Sequence, residues 1–188
     1  MGASKESDQN ALIFIGIGAN LPSPRHGPPR RTCEAALTAM TEAGVEIVGR
    51  SRWYRSAPMP VSRQPWYVNG VAQVASVSTP ARLLELLLGI EGQFGRRRRE
   101  PNAPRILDLD LLAFGDLVTG LAAGVLVPHP RMHERAFVLL PLMELAPGWR
   151  HPVSGLGVGD LIAALPPDQV AEPMDGAPTP PAGAGRRG

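Results

Sequence analysis

The stretch "RILDLDLLAFG", residues 105–115, allows few folds. Leucines at 107, 109 and 111 alternate with aspartates at 108 and 110, which is the period of two of an extended strand. Two steps of about 3.3 Å each separate residues on one face of a strand. The three leucines therefore turn to a core, and Asp108 and Asp110 project together on the other side. Burying two like charges is costly unless something pairs with them. The strand must have one packed face and one face that meets cations, water or a ligand.

The rest of the chain supplies elements to surround it. "ALIFIGIGAN" (11–20) reads as a buried strand ending in a Gly/Asn turn, and an Ala-rich helix over 31–43 is closed by Gly44. A strand follows over 45–56, a proline-broken loop over 57–65 and another strand over 66–77. Thr79-Pro80 opens a helix that presents Leu83, Leu84, Leu87 and Ile90 on one face. After an arginine-rich loop (95–105) and the acidic strand, residues 131–147 read as helical, with Pro141 dividing them into two short helices. The order β-α-β-β-α-β is the split pattern of an α+β, ferredoxin-like α/β sandwich: a single sheet with a split β-α-β core, helices expected on one face. The expected organisation is a flexible N-terminus over 1–10, one domain over 11–165 and a disordered Pro/Ala/Gly-rich tail over 166–188.

Composition excludes several alternatives. The only lysine is Lys5, so no Walker phosphate loop can form. Gly16-x-Gly18 opens like a dinucleotide fingerprint, but Leu21 stands where the third glycine is required. A net charge of +2 gives no support to nucleic-acid binding, and the single cysteine, Cys33, permits no intrachain disulfide. With no signal-like or membrane-spanning run, the expectation is a cytoplasmic protein without a membrane partner.

Two carboxylates with no Cys or His in their strand favour hard cations such as Mg²⁺, and side by side they suit a pair of ions about 3.5–4 Å apart. The bland alternative is a half-exposed strand whose aspartates meet water or Arg105. Just upstream, Arg96 to Arg99 and Arg105 form a cationic loop, and arginine forks match phosphate oxygens. A metal-bound polyphosphate accounts for both charge signs. Downstream, "VPHPRMHERAFVLLPL" offers His129 between two prolines, His133, Arg135 and Phe137. Tyr67 and Asn69 share a strand face, an aromatic and an amide suited to a heteroaromatic ring or, equally for Tyr67, to core packing. The same residues could serve a Mg²⁺-dependent nuclease, or a non-catalytic RNA-binding module. The module leaves Asp108 and Asp110 with the wrong sign for a phosphate backbone.

Taken together, "IGIGANL", "YRSAPMPVSRQPWYVNGV", "IEGQFGRRRREPNAPRILDLDLLAFG" and "VPHPRMHERAFVLLPLMELAP" resemble the 6-hydroxymethyl-7,8-dihydropterin pyrophosphokinase family, in family order over roughly residues 12–153. The resemblance implies a transferase of folate biosynthesis that moves diphosphate from ATP to the pterin's hydroxymethyl oxygen and releases AMP. It implies that Asp108 and Asp110 hold two Mg²⁺ ions, and that Arg96, Arg105 and His129 contact phosphate oxygens. Glu91, Arg98 and Arg135 would lie at the nucleotide. Tyr67 and Phe137 would sandwich the pterin, with Asn69 and the Ser56, Ala57 and Met59 backbone reading its polar edge. Asp110 is the candidate general base. The partners implied are ATP and the dihydropterin alone, with no nucleic acid and a monomeric chain. Three departures stand out: Asn102 where the family commonly has Trp, a loop one residue shorter, and Ala19 where serine is common.

Overall fold

A computed structural model describes residues 12–60, 62–75, 78–95, 104–120 and 124–174. The expected flexible N-terminus (1–10) and the arginines at 96–99 lie outside the described residues. Six strands build one antiparallel sheet among them: β1 (Ile13–Ala19), β2 (Glu46–Arg50), β3 (Tyr54–Ser56), β4 (Tyr67–Ala75), β5 (Asp108–Phe114) and β6 (Ala171–Pro173). The spatial order is β5-β1-β4-β3-β6, with β2 also paired to β4. Helices α1 (Pro29–Glu42), α2 (Pro80–Gln93), α3 (Ala136–Leu145) and α4 (Val158–Ala163) complete the fold. The α+β single-sheet sandwich is as expected.

Helices cover both faces, not one. β1 is apolar on both sides: Ile13, Ile15 and Ile17 enter one core with α1 and α2, while Phe14 enters a second with α3 and α4. A strand with buried side chains on both faces needs two covers, since each apolar face left in water would forfeit about 25 cal/mol per Å². On the first side Cys33, Ala36 and Met40 of α1 and Leu83, Leu87 and Ile90 of α2 are buried. Thr79 caps α2, its side chain accepting from the Arg82 amide, and Pro80 follows at a position where no amide is needed.

Leu107, Leu109 and Leu111 are buried in the first core, so the two aspartates face the α3 side. A bulge ends the alternation: Phe14 pairs with Ala113 and Ile15 with Leu111, leaving Leu112 extra. Leu112 and Ala113 both join the second core. The acidic face is thus polar for only two residues before apolar packing closes it.

Three local expectations are corrected. The segment 45–56 is two strands, not one; both pair with β4, and between them the Ser51 hydroxyl accepts from the Val71 amide at 3.0 Å. Pro141 does not divide a helix: α3 runs continuously through it, preceded by a 3-10 turn at Met132–Glu134. Burial of Val138, Leu139 and Leu142 holds α3 together despite the amide that proline lacks. The chain beyond 165 is not all tail. Residues 171–173 add a strand to the edge of β3, because an edge strand offers unpaired backbone groups whatever the side chains are. Residues 175–188 lie outside the described residues.

Candidate active site

Register across the sheet sets out the floor of the site. Asp108 pairs with Gly18, and Gly18 on its other side with Asn69; Asp110 pairs with Gly16. A row Asp108–Gly18–Asn69 therefore crosses three strands, about 10 Å at the usual spacing between neighbours. The glycines matter because of what a side chain would meet. A Cβ on Gly18 would lie 3.0 Å from Asn69 Oδ1, and one on Gly16 3.3 Å from a Leu112 methyl. Bare backbone between the acid pair and the amide makes a trough in which a ligand can lie against the sheet.

That trough belongs to a cavity of about 490 Å³. Arg105, Asp108, Asp110, His129 and Arg135 line its charged part. Tyr67 and Phe137, Asn69, Ser56, Ala57 and Met59 line the remainder. The structure thus brings together eleven of the candidate residues. Arg96 and Arg98 lie outside the described residues. Glu91 is the exception: it does not line the cavity. It is fully buried on α2, where Oε1 accepts from the Leu109 amide at 2.6 Å. Four residues after Leu87, it continues the buried stripe of α2 and covers β5 from the core side. That spacing is the signal that marks it as an interior group.

Each charged side chain has an identifiable anchor. Arg105 pairs with Asp108. Its backbone is held by Asn20, whose Oδ1 accepts from the Arg105 amide at 2.7 Å while its own amide donates to the Arg105 carbonyl at 3.0 Å. The Asn20 carboxamide also donates to Gln64 Oε1 and the Pro65 carbonyl, and Tyr67 Oη donates to the same Gln64 oxygen. Burial raises the Tyr67 hydroxyl above its usual pKa, so it remains a donor at neutral pH. Asn69 Nδ2 donates to Ser56 Oγ at 2.7 Å, which fixes the amide.

His129 is held by backbone. Its amide donates to the Leu112 carbonyl at 2.7 Å, and its Nδ1 accepts from the Arg131 amide at 3.1 Å. An occupied Nδ1 acceptor puts the neutral ring's proton on Nε2. Burial and the nearby Arg135 push its pKa down to about 4, so the ring is a neutral donor at physiological pH. Arg135 lies 4.0 Å from Asp110 and 5.5 Å from the centre of the Phe137 ring. His133 points away and packs edge-on against His151, ring centres 5.3 Å apart.

Sequence reasoning missed Gly16 and Gly18 as floor, and Asn20 and Gln64 as its supports. The glycines were legible as alternate positions of one strand; Asn20 carries no local signal, because its partners lie 44, 45 and 85 residues away. Arg131, Glu134 and Gln169 also line the cavity.

As to cations, among the described residues no cluster of three or more His, Cys, Asp or Glu side chains exists to cage a metal. Two carboxylates beside bare glycine backbone suit an ion that takes its other ligands from water and phosphate, as Mg²⁺ does. The donor set fits.

The chain matches the family described as 7,8-dihydro-6-hydroxymethylpterin-pyrophosphokinase (HPPK) over residues 14–147. It is 40% identical over 149 residues to a 2-amino-4-hydroxy-6-hydroxymethyldihydropteridine pyrophosphokinase of Synechocystis, covering 79% of this chain and 73% of the relative. With the protein of that name from Pseudomonas aeruginosa it shares 39% over 155 residues, 82% of this chain and 91% of the relative. A crystal structure of Plasmodium falciparum HPPK-DHPS superposes with a TM-score of 0.64 at 14% identity over 84% of this chain, which bears on the fold alone. This chain spans 44% of that longer one. The cavity lining from Gly16 to Val138 falls inside the matched region, with Gln169 outside it, and the chain belongs to the 7,8-dihydro-6-hydroxymethylpterin-pyrophosphokinase family.

Proposed function

We propose that this chain transfers diphosphate from ATP to the hydroxymethyl oxygen of 6-hydroxymethyl-7,8-dihydropterin, releasing AMP, in a Mg²⁺-dependent reaction. One observation carries the reading: a single cavity sets a carboxylate pair with arginines beside an aromatic and amide wall, joined by a glycine floor. A polyphosphate fits the first part and a flat, polar-edged ring the second. Membership of the family and the names of its relatives support the choice of substrates.

Tyr67 and Phe137 are the aromatic faces for the pterin, and Asn69, oriented by Ser56, meets its polar edge. Arg105 and Arg135 offer forked donors to phosphate oxygens. His129 offers its Nε2 proton without adding a charge that would have to be desolvated. Asp108 and Asp110 would hold magnesium, which when bound offsets phosphate charge and acidifies a neighbouring hydroxyl. The pterin hydroxyl attacks the β-phosphorus; the new O–P bond replaces the one to AMP, and Asp110 is the acceptor available for the released proton. Such transfers rest on positioning and charge neutralisation, so no protein nucleophile is required.

The test is one assay of the purified chain with ATP, Mg²⁺ and the hydroxymethyl-dihydropterin. AMP formed in step with diphosphorylated pterin is the expected result. ADP, or an unchanged nucleotide, contradicts the reading.

A further inference from the structure

We propose that Gln169 is a positioning residue of this site, acting through the entrance to α3. It lies beyond residue 147, where the family match ends, in a stretch whose sequence suggests only disorder. Its side chain makes two bonds to one short piece of backbone. Oε1 accepts from the Ala136 amide at 2.8 Å, and Nε2 donates to the Glu134 carbonyl at 2.7 Å. Between those two groups sits Arg135, and Phe137 follows. The carboxamide therefore clamps the backbone that presents both the cation beside Asp110 and one aromatic wall.

The clamp fills a gap in α3 itself. Residue Arg135 caps this helix without any side-chain hydrogen bond, so its first amides would look to water or to a distant donor-acceptor pair. Gln169 supplies that partner from 33 residues away. A carboxamide accepts from an amide through its oxygen while its nitrogen donates to a carbonyl. Leucine or methionine could fill the space but could make neither bond.

The same segment grips the opposite wall. The Val170 carbonyl accepts from the Ala57 amide at 3.2 Å, and Ala171 pairs with Ser56. Further along, Glu172 pairs with Arg55 at 2.8 Å on the surface, and the Met174 amide donates to the Trp53 carbonyl at 2.7 Å. Residues 169–171 thus tie the end of β3, where Ala57 follows Ser56, to the start of α3, which carries Phe137. The spacing of the two walls is set by a strap that neither wall encodes. This assignment rests on the pterin reading of the cavity for its kinetic consequence, but the clamp itself does not.

Two full-length variants test it. Gln169→Met keeps the side chain's length and packing while removing both bonds; Glu172→Ala loosens the strap on its exposed side only. Gln169→Met should raise the pterin KM about tenfold with kcat within about threefold, as expected for two lost neutral hydrogen bonds that orient a binding wall. Hydrogen exchange at the Ala136 amide should quicken about tenfold while α1 amides keep wild-type protection. Glu172→Ala should change neither. Wild-type values for both readouts in Gln169→Met overturn the proposal, as does faster exchange spread evenly over the molecule. If wild-type protein lacks pyrophosphokinase activity, the functional reading fails, and exchange at Ala136 still decides whether the clamp exists.

Discussion

Asp110 and Asp108 occupy equivalent strand positions but have different neighbours, Arg105 for Asp108 and Arg135 for Asp110. Arg135 lies 4.0 Å from Asp110, whose side chain is partly exposed, and Asp110 is the variant to make. Asp110→Asn should leave the melting temperature within a few degrees, because partly exposed ion pairs contribute about 0–1 kcal/mol. Turnover should fall at least about 100-fold, the usual scale for removing a preorganised electrostatic group. Near-normal AMP production by a folded Asp110→Asn protein would contradict the metal-holding role. The facing of both aspartates was legible in the Leu/Asp alternation, since side-chain direction in a strand is a local property. Their arginine partners were not equally legible: Arg105 is a close sequence neighbour, whereas Arg135 reaches Asp110 only because α3 packs across the sheet.

α2 and β5 show how an element can be read correctly and one of its residues misplaced. The stripe Leu83, Leu84, Leu87 and Ile90 was visible as helical periodicity, yet Glu91 is buried beside it. A carboxylate suggests a ligand, but this one is wholly enclosed and accepts the Leu109 amide between the two aspartates in sequence. Glu91→Ala should destabilise the chain by about 2–4 kcal/mol, from the cavity left and the amide deprived of its acceptor. Glu91→Gln, which keeps an oxygen in place, should lose distinctly less. Urea unfolding of the two variants measures the difference; an alanine variant as stable as wild type would remove Glu91 from this role. For α3, local rules pointed to a break at Pro141, and burial against the second core prevailed over them.

For the molecule as a whole, stability should depend on pH through two imidazoles, the half-buried His129 and the buried His151. Burial, then Arg135, lowers His129 to about 4 from 6.5; burial, then His133, lowers His151. The folded chain thus holds both rings in the neutral form to lower pH than the unfolded chain does, which takes up protons near the ordinary value of 6.5. Stability is therefore fully present above about pH 6.5 and declines as pH falls toward about 4, where His129 protonates in the fold too. His151 Nδ1 accepts from the Val153 and Ser154 amides, both at 3.3 Å, and protonation there would undo that turn. Unfolding midpoints across this window should fall in wild type and fall less steeply in His151→Gln; identical slopes would refute the assignment. Alternation, helical stripes, turn glycines and the carboxylate pair are properties of short segments, and the sequence alone determined them, together with the family. Which helices would cover the second face, and that residues 169–174 would return to tie the site's two walls, was settled only in three dimensions. Those outcomes depend on backbone groups and buried surfaces that meet across tens of residues, where no periodic pattern of side chains registers the contact.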